Sequence, residues 1–156
     1  MAGSSVTVTT APSKYLVGFG GRNEIVVSLA CVSDDAAGTV PSETLDSTDG
    51  LAGLVAYQLQ EVITVPDSVA PPTTAYRVKI VDSVTGEKLF IGTARAVGAS
   101  AISETQGGYE HLGFYPPIDN APTITLIQDD GATEAAADVG NSKELTIKLR
   151  FVKREF

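Results

Sequence analysis

A hydrolytic triad needs a base held beside its nucleophile. The chain has one histidine, His111, set in the aromatic stretch YEHLGFY ahead of Pro116-Pro117, and no nucleophile motif accompanies it. His111 therefore reads as a structural or surface residue. A zinc site built from His111 and Cys31 would also need two carboxylates, and the spacing suggests none. Acid pairs are better represented: Asp34-Asp35, Asp46 with Asp49, and Asp129-Asp130 all fall in loop-like sequence. Oxygen ligands suit Ca²⁺. None of these pairs matches the D-x-[DN]-x-[DN]-G loop, however. Aspartate favours turns without any metal, because its carboxylate bonds nearby backbone N–H groups. The same acids are the ingredients of glycoside hydrolysis, which requires two carboxyls roughly 5–10 Å apart. Carbohydrate sites usually add Trp or exposed aromatics, and Trp is absent. Gly18, Gly20 and Gly21 in VGFGGRN read as turn glycines, since no helix follows them and no G-K-[ST] occurs. No catalytic residue, metal or cofactor is expected.

Without chemistry to position, the elements must be read for shape. The length of 156 residues suits one domain with a real core. With 43% hydrophobic residues and few aromatics, that core must be built mainly from Val, Ile, Leu and Ala. The formal charge of −8 argues against nucleic acid as a partner and suits solubility or a partner with a basic patch. Five of the eleven bases fall in the last fourteen residues. Cys31 is the only cysteine, so no intramolecular disulfide forms, and its apolar setting EIVVSLACV reads as that of a buried, inert thiol. The start, MAGSSVTVTT, has neither the basic nor the apolar region of a secretory signal. No apolar run approaches the ~20 residues of a spanning helix, so no membrane is expected. The expectation is a protein folded in a cytoplasm.

Period-two alternation dominates the chain. Residues 1–13 are small and polar, with Val6 and Val8 alternating, and read as a flexible arm or an edge strand. Strands are expected at Lys14–Phe19 and Glu24–Val32. The eighteen residues Ser33–Gly50 hold five acids and no base, and read as a long loop. Leu51–Ala56 leads as strand into Tyr57, where Tyr57, Leu59, Ile63 and Val65 share one parity. Glu61 shares it too, so either a bulge shifts the register or Glu61 faces a polar part of the interior, with a salt bridge as its role. Pro71-Pro72 marks an extended loop. Tyr76, Val78 and Ile80 then face opposite to Arg77 and Lys79, and Gly86 turns the chain into Lys88–Ile91. Residues 57–91 are thus expected to form a meander of three antiparallel strands. Gly92–Gly108 reads as a wandering connection with one short strand near Arg95–Val97. Thr123–Gln128 reads as a strand with Ile124 and Leu126 inward, and Ala132–Val139 as a single helical turn or an acidic loop. The last segment is the clearest: Leu145, Ile147, Leu149 and Phe151 alternate with Glu144, Thr146, Lys148 and Arg150. The fold class expected is all-β, a single antiparallel β-sandwich or jelly-roll-like domain over residues 14–156 with long loops.

The segment EVITVPDSVAPPTTAYRVKIVDSVTGEKLF carries Val65-Pro66, the loop Ala70–Thr73, a strand led by Tyr76, and a turn from Asp82 to Gly86. In that pattern, which covers about a fifth of the chain, it resembles small β-rich virion proteins of tailed bacteriophages. The resemblance implies a structural protein made in the host cytoplasm and incorporated into the virion. Within that class the capsid decoration or cement proteins are favoured. Such proteins bind the major capsid protein lattice, often as dimers or trimers, and stabilise the shell. A head–tail connector, tail or baseplate component would fit the same features. So would other classes: a jelly-roll carbohydrate- or receptor-binding module, with exposed Tyr on a concave face, or a hydrolase with paired carboxylates.

Candidate partner contacts follow from expected exposure. They are Val6 and Val8 in the arm, Asp34, Asp35, Asp46 and Asp49 in the acidic loop, and Pro71 and Pro72 in the proline loop. Tyr109, Phe114 and Tyr115 join them as an aromatic patch if exposed, and Lys153, Arg154 and Phe156 as the C-terminal tail.

Overall fold

The structure, a computed structural model, describes residues 3–11, 22–46, 57–92, 102–105, 118–128 and 134–154. Its elements are strands: β1 (Ser5–Ala11), β2 (Arg22–Val32), β3 (Glu43–Thr44), β4 (Gln58–Pro66), β5 (Tyr76–Asp82), β6 (Lys88–Ile91), β7 (Ile102–Thr105), β8 (Pro122–Gln128) and β9 (Glu144–Arg154). They pair antiparallel into a five-stranded sheet, β1-β2-β9-β4-β7, and a four-stranded sheet, β3-β8-β5-β6. Each inner face follows from alternation in the sequence. Val27, Leu29 and Cys31 of β2 and Leu145, Ile147, Leu149 and Phe151 of β9 point inward from the first sheet. Tyr76, Val78 and Ile80 of β5 and Ile124 and Leu126 of β8 point inward from the second. They meet in one hydrophobic cluster. The fold is an all-β, sandwich-like arrangement, as the patterning predicts.

The expected meander does not form. β4 belongs to the five-stranded sheet and β5 and β6 to the other, so the proline-rich connection 67–75 carries the chain across the sandwich. Prolines supply no N–H for a ladder, and here they occupy a crossing instead of a hairpin. The face assigned to β4 also needs correction. Its pairing with β9 shifts between Leu59 and Glu61. Beyond that bulge Val62, Thr64 and Pro66 turn inward, while Ile63 and Val65 lie half-buried on the outer face. Glu61 accordingly faces outward and meets Arg150, with Oε2 3.3 Å from Nε.

Three further expectations are changed or decided. Ser33–Gly50 is not loop throughout: Val40 and Leu45 are core residues, and β3 pairs with β8. Of the two readings of Ala132–Val139, a helical turn or an acidic loop, the described residues 134–139 take the loop, with Ala136 bridging Ile127. Within 92–108, Ile102–Thr105 forms a strand on β4. Its Ser/Thr-rich sequence is short and gave little periodicity to read. Residues 5–11 are a strand paired over seven residues with β2, at the edge of the sheet among the described residues. The strands expected at Lys14–Phe19, Leu51–Ala56 and Arg95–Val97 lie outside the described residues.

Candidate functional site

Three turns share one device. Asp34 Oδ1 accepts hydrogen bonds from the backbone N–H groups of Ala36 and Ala37, both at 2.8 Å. Asp67 Oδ2 accepts from Val69 at 2.8 Å and Ala70 at 2.9 Å. Asp82 Oδ1 accepts from Val84 at 2.8 Å and Thr85 at 2.9 Å. These are aspartate turns, in which the carboxylate replaces a backbone acceptor. The bonds favour the charged form and hold all three carboxyls below their ordinary value of 3.8.

Asp67 and Asp82 both open the triplet Asp-Ser-Val, and they lie at opposite ends of the sandwich. One turn precedes β5 and the other ends it, so a seven-residue strand separates them, roughly 20 Å at the usual rise.

At the Asp67 end three connections are tied together, 33–40, 67–75 and 138–144. Ser33 is fully buried there. Its hydroxyl donates to Gly140 O at 2.6 Å and accepts from Lys143 N–H at 2.7 Å, while its own N–H donates to Lys143 O at 2.9 Å. Thr73 N–H donates to Val139 O, Val139 N–H to Gly38 O, Glu144 N–H to Ala70 O and Asp67 N–H to Glu144 O, all at 2.8–3.0 Å. The approach is close enough to demand glycine. Gly38 and Gly140 have φ of +65° and +96°. A Cβ on Gly38 would overlap the Asp138 carboxylate, and one on Gly140 the Thr73 hydroxyl. Unusually for surface connections, the backbone donors here are spent on neighbouring loops. The surface so held is acidic, with Asp34, Asp35, Asp138 and Glu144 around Lys143, and Val69 projects from it 89% exposed.

The other end is held differently. Asn120 Nδ2 donates to both oxygens of Asp82, at 3.2 and 2.9 Å, and Asp82 is buried. Ser83 N–H donates to Ala121 O at 3.0 Å, and Gly86 takes the positive φ of +72°. Val84 is 76% exposed at the tip.

Beside the Asp67 end, the outer face of the five-stranded sheet carries a shallow groove of about 350 Å³. Ala30, Val32 and Val65 give it an apolar floor, and Asp67 and Glu144 stand among its lining residues. The lining contains no aromatic and no basic side chain, the usual partners of sugars and anions. On the other sheet Glu134 clamps Lys79 at 2.6 Å and Lys88 at 2.5 Å, and these bonds hold its carboxyl down to about 2.

The structure unites part of the expected contact set and scatters the rest. Asp34, Asp35 and Pro71 come together at the Asp67 end, where Pro72 is buried. Val6 and Val8 are half-buried on β1 and pack against the core. Asp46 lies at the Asp82 end, since Leu45 N–H donates to Pro122 O and Pro122 pairs with Asp82. Lys153 and Arg154 close β9, opposite Asn23 and Arg22 of β2. Asp49, Tyr109, Phe114, Tyr115 and Phe156 lie outside the described residues, as do His111, Asp129 and Asp130.

Cys31 is buried, and desolvation, with the Glu43 charge adding to it, pushes its thiol up to about 12. Among the described residues no group of three or more His, Cys, Asp or Glu is placed to hold a metal ion. The segment 138–144 was missed as part of a site. Its Gly140-Asn141-Ser142 run was a readable turn signal, as was the repeat of Asp-Ser-Val at 67–69 and 82–84. No protein-family model matches this chain, and no curated protein matches it in sequence.

Proposed function

We propose that this is a non-enzymatic structural protein of a tailed-bacteriophage virion, of the capsid decoration or cement kind, that grips the major capsid protein lattice with its Asp67 end. The observation that carries the reading is the backbone locking of three connections into one surface. A surface held in one conformation before contact loses little conformational entropy on binding, so more of each contact's free energy appears as affinity. The virion resemblance of Glu61–Phe90 runs through this same end, in Asp67–Ala75. Acidic side chains there suit a basic patch on the partner.

The mechanism is linkage. A protein that binds the assembled lattice and not its dispersed subunits stabilises the lattice by its binding free energy. Specific contacts of this kind bury roughly 1,200–2,000 Å² in all. The test is rebinding to particles from which the protein has been removed, with heat-induced release of their contents followed. Saturable rebinding that raises the release temperature supports the reading, and Val69→Asp should abolish it. Presence at only a few copies per particle, without rebinding to the shell, would move the protein to the neck or tail. Absence from particles would overturn the virion assignment.

A further inference from the structure

β1 ends the five-stranded sheet, and among the described residues no strand covers its outer edge. An edge strand offers unpaired N–H and C=O groups to any chain that can lie alongside, and proteins normally blunt it with Lys, Pro, a bulge or shortness. β1 uses none of these. It pairs with β2 over seven residues without a register shift. Its sequence, SVTVTTA, is rich in β-branched residues and holds no charged side chain. The other edges differ. β3 has two residues, β6 carries Lys88, and β7 has four residues including Glu104.

We infer that β1 is a dimerisation strand, pairing antiparallel with β1 of a second copy to make one continuous ten-stranded sheet. Two features commit it to a second copy. First, a chain of net charge −8 repels its own kind over most of its surface, and β1 is a long edge free of charge. Second, the strand is complementary to itself. A twofold axis through Val8 sets Val8 against Val8, Thr7 against Thr9 and Val6 against Thr10. Every such pair keeps to one face of the sheet, because residues two apart share a face. Val6 and Val8, half-buried where the core reaches the edge, would then be covered by their partner strand. The inference stands on the sheet edge and does not need the virion assignment.

Sedimentation equilibrium of the full chain at low and high salt tests it. A reversible dimer is expected, tighter at high salt because screening relieves repulsion between two like-charged copies. The double variant Thr7→Lys/Thr9→Lys sets like charges across the axis twice, and should weaken the dimer by about tenfold or more. Thr7→Glu/Thr9→Lys sets opposite charges across it, and should restore the dimer. Thermal unfolding of each variant shows that the sandwich is intact. A monomer at every concentration, or a dimer equally strong in both variants, would overturn the inference.

Discussion

The two Asp-Ser-Val turns use the same local device at opposite ends of β5, yet the ends are different structures. At the Asp67 end the turn is one of three connections whose backbone groups are spent on each other. At the Asp82 end the turn meets the 118–121 segment through the Ser83 N–H to Ala121 O bond, and the Asn120 side chain reaches its carboxylate. The comparison teaches that an aspartate turn fixes only its own few residues. What makes a loop surface rigid is where its remaining donors and acceptors go. Where the connections are drawn together, side chains of one crowd the glycines of another, Asp138 against Gly38 and Thr73 against Gly140, whereas Gly86 has open space around it.

The largest effect should come from the glycines. Gly86→Ala incurs only the left-handed backbone penalty, about 1–2 kcal/mol. Gly38→Ala and Gly140→Ala incur that penalty and a steric overlap, so denaturant unfolding should show each to be clearly more destabilising than Gly86→Ala. Equal losses at all three positions would mean the loops of the Asp67 end yield easily, and the contrast would fail. Cys31 gives a second readout, since it sits on β2 opposite Leu145, one residue past the locked segment. In the native protein its thiol should resist a thiol reagent, and Gly140→Ala should speed the reaction.

Acid should come next. Asp34, Asp67 and Asp82 are held below 3.8 and Glu134 at about 2, from an ordinary 4.5. A carboxyl with a depressed folded pKa binds fewer protons folded than unfolded, so stability rises with pH through that window. The stabilisation is whole above about pH 4.5 and is lost as pH falls toward 2. Asp34→Asn with Asp67→Asn keeps the acceptors but removes the charges, and should flatten the acid limb more than Asp82→Asn does. Asn120→Ala sharpens the comparison at the other end. Its destabilisation should be present at neutral pH and fade in acid, where Asp82 is protonated in both proteins.

The smallest effects on stability belong to the exposed valines. Val69→Asp and Val84→Asp should each change unfolding free energy by less than about 0.5 kcal/mol. Under the proposed virion role they should part in function, with Val69→Asp losing rebinding to particles and Val84→Asp keeping it. If both bind or both fail, the two ends are functionally alike.

Much of the sandwich was legible residue by residue. Leu145 to Phe151 and Tyr76 to Ile80 alternate without fault, and their faces came out as read. Gln58–Pro66 did not, because the bulge at Gln60 reverses parity midway, and a bulge has no signature beyond the anomalous Glu61. Composition located Asp34, Asp35 and Pro71 in connections, but it also grouped Asp34 with Asp46, which the fold sends to the other end.

By itself the sequence determined the all-β character, the inner faces of most strands and the turn residues, because alternation, glycine and aspartate act over a few neighbouring positions. It also pointed to a buried Cys31, which shares the parity of Val27 and Leu29 in an almost wholly apolar strand. Only the tertiary structure decided that β4 and β5 part company into different sheets. It alone brought 33–40, 67–75 and 138–144 into one locked surface and left β1 at an edge. Those outcomes depend on which strands meet across long stretches of chain, and the hydrogen bonds that fix them are made by backbone groups that every residue carries, save for the N–H that proline lacks.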